Sequence, residues 1–101
     1  MRILHISASL DPAHGGTPAV PKALAAAQAG LGHEVTILTR DEPARMDAVR
    51  ESMAGLPDAE SVRIAVVQSG GTIDRFVNRG ARAWAAEHGS EFDFAHLHSM
   101  W

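Results

Sequence analysis

The sequence predicts an α/β fold: an open parallel β-sheet with helices on both faces, Rossmann-like, with four strands. Two observations carry the prediction. Short β-rich apolar runs alternate with longer stretches of helical spacing, and such alternation implies parallel strands joined by right-handed crossovers. The second apolar run, "EVTILT", also suits a strand covered on both faces, as parallel strands are. The 101 residues suffice for one domain, which would bury ~65% of its unfolded surface. No internal repeat or low-complexity segment interrupts the order.

"RILHIS" (2–7) reads as the first strand, because it is apolar, short and followed by polar residues and Gly-Gly. In the next stretch, "TPAVPKALAAAQAGLG", Val20, Leu24, Ala27 and Leu31 recur at helical spacing and form the expected apolar stripe. Thr17 is the expected N-cap with Pro18 in the first turn, and Gly32 is the stop. Pro21 lacks an N–H, so the regular helix is expected to begin near it. "EVTILT" (34–39) is the second strand. "DEPARMDAVRESMAGLP" (41–57) reads as a helix capped by Asp41 and ended by Gly55 or Pro57, with Met46, Val49, Met53 and Leu56 as its thin apolar stripe. "SVRIAVVQ" (61–68) is the third strand. "TIDRFVNRGARAWAAEHG" (72–89) is the third helix, with Ile73, Phe76, Val77 and Trp84 on one face. Gly80 inside it marks a close contact or a bend. "DFAHLH" (93–98) closes the pattern as the fourth strand.

Composition narrows the function. A formal charge of −3 gives no reason to expect wholesale nucleic-acid binding. The chain has no cysteine, which removes disulfides and thiolate metal sites and suits the cytoplasm. No stretch approaches the ~20 apolar residues that span a bilayer, and "MRILHISASL" lacks a signal-peptide pattern.

In an open parallel sheet, ligands lie outside the carboxyl ends of the strands, where strand order reverses. Two segments are expected there: the loop "SASLDPAHGGTP" (7–18) and the end of the fourth strand, "HLHSMW". Gly15 and Gly16 let the backbone approach a ligand, and free N–H groups ahead of a helix favour an anion such as a diphosphate. A flexible turn explains the same two glycines. The pair is neither G-x-G-x-x-G nor a Walker-A loop.

His96 and His98 share one strand face. His98 lies nearer the carboxyl end and can reach the crevice. His96 sits one pleat deeper, where a buried imidazole bonded to a carbonyl or carboxylate is expected. H-x-H can also supply two metal ligands, as in some metallohydrolases, with His5 or His14 as further donors. No H-E-x-x-H or acidic cluster supports that alternative. Arg75, Arg79 and Arg82, flanked by Phe76 and Trp84, form a basic helix face that is either simply solvated or laid on anionic lipid. His33 and His88 read as helix-end residues.

The opening "MRILHISASLDPAHGGTPAVPKALAAAQAGLGHEVTILT" resembles that of family 4 retaining glycosyltransferases of the GT-B fold. The closing "FDFAHLHSMW" is similar to that family's D-V-V-H-x-H-G-x-W type segment. The two ends cover about half of the chain; residues 41–90 match only in the order of their elements. The family's fold is two Rossmann-like domains across a cleft, the N-terminal one mainly binding acceptor and the C-terminal one binding the nucleotide-sugar donor. The resemblance implies that Gly15 and Gly16 approach the donor diphosphate and that His98 orients the donor sugar without acting as the base. It implies no divalent metal and no other cofactor. It also implies a glycan or lipid-linked acceptor. The cytoplasmic location is expected from the missing cysteines, and contact with the inner membrane face through Arg75, Arg79 and Arg82 belongs to the lipid alternative for that helix face.

The family's C-terminal domain is not in this sequence, so the chain resembles a fragment that would not catalyse transfer alone. Pro21 and the Thr17-Pro18 turn depart from the commoner family pattern. The rival from another class is a non-catalytic α/β binding or interaction module. A sheet ending at its fourth strand also predicts a marginal or self-associating fold, with Met100 and Trp101 having little to pack against.

Overall fold

The computed structural model describes residues 1–14, 18–67 and 79–98. These form an α/β domain in the order β1 (Arg2–Ser7), α1 (Ala19–Gly30), β2 (Glu34–Thr39), α2 (Met46–Met53), β3 (Arg63–Val66), α3 (Arg79–His88) and β4 (Phe94–Leu97). The four strands are all parallel and lie in the order β3-β2-β1-β4. The chain therefore steps outward from β1 to β3 and then returns to the other side of β1. The order reverses between β1 and β4.

Each sheet face has its own core, because successive side chains on a strand point to opposite faces. Ile3, Val35 and Ile37 pack under α1 and α2 against Ala25, Ala26, Val49 and Met53. Leu4, Leu38 and Val67 pack on the other face with Ile6, Ala65, Trp84 and Phe92. Helical residues thus cover both faces, and the α2 stripe of Met46, Val49, Met53 and Leu56 points inward as expected.

Several element details differ from the sequence prediction. The buried face of α1 is Pro21, Lys22, Ala25 and Ala26, whereas Val20 and Leu31 are 60% and 78% exposed. The packed face is displaced by one residue, a rotation of about 100°. Small side chains let the helix lie close to the sheet, whose Ile3, Val35 and Ile37 supply the bulk. Helix α1 begins at Ala19, ahead of Pro21. A proline in the first turn sacrifices no intrahelical bond, since those N–H groups have no acceptor behind them. Pro18 precedes the helix without a side-chain cap, and Thr17 lies outside the described residues. Gly32 does end the helix, with φ at +94°.

Helix α2 is shorter than predicted, because Pro43–Arg45 form a separate 3-10 turn. Asp41 is no cap; it is buried and bonded elsewhere. Strand β3 begins only at Arg63, after the 3-10 turn Ala59–Ser61. Of the third predicted helix, residues 72–78 lie outside the described residues, and the described part ends at His88 before a 3-10 turn. Met100 and Trp101 lie outside as well.

Candidate ligand site at the carboxyl edge of the sheet

Strand β4 runs parallel to β1 with His96 beside His5 and Leu97 beside Ile6. One residue further, the His98 N–H donates to the Ile6 carbonyl at 2.9 Å. His98 therefore leaves the sheet at the edge from which the loop after β1 departs. The described parts of the two expected segments, residues 7–14 and 96–98, leave the sheet at this one edge. Gly15 and Gly16 lie outside the described residues, between the 3-10 turn Pro12–His14 and the start of α1.

The register also brings a third imidazole to the pair. His5 is fully buried in the middle of β1. Its Nδ1 lies 2.7 Å from His98 Nε2, and its Nε2 lies 2.6 Å from Gln28 Oε1 on α1. The buried, hydrogen-bonded imidazole expected at position 96 is thus His5. His96 is half-buried and stacks on His98, with ring centroids 4.1 Å apart and planes 13° from parallel. Burial is the main cause that lowers the pKa of both bonded rings. His98 falls to about 4, with His96 and His5 adding to the shift. His5 is lowered by burial, in part offset by its bond to Gln28. Both rings are neutral at pH 7.

Nitrogens of His5, His96 and His98 lie within 4.8 Å of one another, a spacing at which three imidazoles could share an ion. Their rings, however, lie 13° to 34° from parallel. Ligand lone pairs lie in the ring plane, so those of the stacked His96 and His98 lie in two nearly parallel planes that do not converge on a nearby point. As arranged, the trio is a bonded and stacked array, and chelation requires one ring to turn.

A second, polar cluster holds the loop. Asp41 accepts from the Leu10 N–H and Ser9 Oγ, both at 2.5 Å, and from Thr39 Oγ1 at 2.9 Å. Asp11 accepts from Arg45 Nε at 2.6 Å and from the second guanidinium N–H at 2.9 Å. Lys22, from α1, donates to the Leu10 carbonyl at 2.9 Å and to Ser52 Oγ at 2.8 Å. Burial lowers its pKa, while Asp11 and Asp41 pull the other way. The loop is thereby tied to β2, α1 and the start of α2.

The sequence offers His5 only as a further metal donor beside His96 and His98; it does not point to His5 as a hydrogen-bond partner of His98, to Gln28 behind it, or to Lys22, Asp41, Asp11 and Arg45 as the loop's supports. The parity of the strands held part of the signal. In the register that sets His5 beside His96, an imidazole at position 5 falls on the same face as those at 96 and 98, a register that strand adjacency alone does not fix. Nothing in one sequence points to Gln28.

The basic helix face is described only in part: Arg75 lies outside the described residues, and Arg82 is exposed. A depression at the amino ends of the strands is lined by Arg2, Glu34, Arg63 and Glu91, far from the rim and of mixed charge. Among the described residues no helix is long and apolar enough to cross a membrane. Comparisons with family models, curated proteins and solved structures returned no match.

Proposed function

We propose that this chain is the acceptor-side, N-terminal piece of a retaining glycosyltransferase of the GT-B, family 4 kind. The observation that carries the proposal is the meeting of the loop after β1 with the end of β4 at one carboxyl edge, where strand order reverses. That is the place an open parallel sheet offers to a nucleotide ligand. The resemblance of "DPAHGG" and "FDFAHLHSMW" to the family falls on these two segments.

The donor is a nucleotide-diphosphate sugar, and the acceptor is a hydroxyl of a glycan or lipid-linked molecule. The acceptor oxygen bonds to the anomeric carbon from the face that the diphosphate leaves. The carbon–oxygen bond to phosphate breaks, and the hydroxyl proton passes to the leaving phosphate oxygen. His98, neutral at pH 7, suits a hydrogen bond to the donor sugar. Gly15 and Gly16, by their place ahead of α1, let backbone N–H groups approach the diphosphate. Charge on the leaving group falls to amides, helix dipole and basic side chains, largely from a second domain. No divalent metal or other cofactor is assigned. We place the reaction in the cytoplasm, at the inner membrane face where the acceptor is lipid-linked. The second domain is needed for turnover, and this chain alone is inactive.

The test is the coding sequence beyond Trp101. A continuing frame that encodes a second Rossmann-like half with paired glutamates supports the enzyme. A stop codon there, with a well-folded product, supports a non-catalytic α/β binding module instead.

A further inference from the structure

Two short contacts run in series from the helix to the rim: Gln28 Oε1 to His5 Nε2, and His5 Nδ1 to His98 Nε2. A carbonyl oxygen only accepts, so His5 Nε2 carries its proton. A neutral imidazole bears one N–H, which leaves His5 Nδ1 as a lone pair. The 2.7 Å contact to His98 is then a hydrogen bond only if His98 Nε2 carries the proton. One proton per ring leaves His98 Nδ1 bare. The amide of α1 thus determines, through a buried ring, which nitrogen of His98 carries the proton and which keeps a lone pair that meets no donor among the described residues.

We infer that Gln28 and His5 are positioning residues that hold His98 as the Nε2–H tautomer and make its Nδ1 a fixed hydrogen-bond acceptor at the rim. An acceptor takes a hydroxyl and rejects a phosphate oxygen, which has no proton to give at neutral pH. The ligand group that His98 meets is therefore a hydroxyl, leaving the diphosphate to the glycine loop. This last step rests on the glycosyltransferase reading; the tautomer assignment does not.

Three features make the device rigid. His5 is fully buried in a central strand, so its ring cannot turn to water. His98 is held by its backbone bond to Ile6 and by the stack of His96 on its ring. Gln28 sits on α1 beside the packed residues Ala25 and Ala26, where its reach to β1 is short. A hydrogen bond at the far ring nitrogen fixes orientation and tautomer in the same way in metal-ligating histidines.

The experiment is ring-nitrogen NMR on the ¹⁵N-labelled chain at pH 7.5, without ligand, using two-bond proton couplings to tell the tautomers apart. The expected result is Nε2–H for both His5 and His98. Gln28→Leu removes the anchor, and both rings should become tautomer mixtures. Gln28→Glu keeps an oxygen that only accepts, and both should return to Nε2–H. A wild-type His98 protonated at Nδ1 would overturn the inference, as would rings unmoved by Gln28→Leu. The wild-type spectrum decides even if the leucine variant does not fold. Failure of the glycosyltransferase reading would leave these spectra unchanged, and a reversed tautomer would leave that reading standing.

Discussion

Leu38 and Leu97 flank the same residue, Ile6, on the same face of the sheet, one from β2 and one from β4. Leu38 is 1% exposed and Leu97 is 59% exposed. The residue type, strand parity and neighbour are shared, so the difference lies in what covers each strand. The β1–β2 side is closed by helices and by the buried ties of Asp41, Asp11 and Lys22. The β4 side presents Phe94, Leu97 and the half-buried His98 at an open flank. One half of the rim is a scaffold, and the other is a surface on which a ligand can act.

The largest expected effect is on the scaffold side. Asp41→Ala removes the acceptor of three hydrogen bonds and strands the buried Leu10 N–H. Chemical denaturation should show a loss of about 4 kcal/mol, with Asp41→Asn recovering roughly half. An Asp41→Ala protein within about 1 kcal/mol of the parent would mean that the loop is not held as described.

The leucine pair comes next. Leu38→Ala should cost about 3 kcal/mol, because it opens a cavity in a closed core. Leu97→Ala should cost less than about 1 kcal/mol, because its side chain already meets water. Equal costs would show that β4 is covered and that the contrast between the two flanks is wrong.

A smaller effect is pH-dependent. His5 and His98 have folded pKa values below 6.5, that of His98 at about 4. As pH falls, the unfolded chain takes up these protons first, so it binds more protons than the folded state. Stability should therefore be level above pH 6.5 and fall as pH drops from 6.5 towards 4. Partial exposure of His98 discounts the effect to about 1–2 kcal/mol for the pair. Denaturation midpoints across that range check it. His98→Gln should flatten the slope, and an unchanged slope would mean that the buried array does not titrate as a unit.

The fold was largely legible in the sequence, and the site only in outline. The alternation of elements and the apolar runs at 2–7 and 34–39 carry the parallel sheet, since burial on both faces forces that composition. Neighbouring of β1 and β4, and hence the common rim, followed from the topology. The larger apolar side chains of α1 point to the wrong face, because it is the alanines that allow close packing on the sheet. Asp41 has the local pattern of a helix cap, an acidic residue before a helical run. Its bonds to Leu10 and Ser9 span about thirty residues of chain, which no local pattern encodes. Gln28 was hidden for the same reason: its role exists only once α1 lies over β1.

The most direct test of the central claim uses this chain joined to the donor-binding domain that the proposal requires, with His98→Ala compared against the unaltered protein. Sugar transfer and the dissociation constant of the nucleotide-sugar donor are measured on both. A side chain that orients the sugar in the transition state should lower turnover roughly 100-fold while donor affinity changes less than about threefold. Turnover and affinity that shift together by a small factor would contradict it.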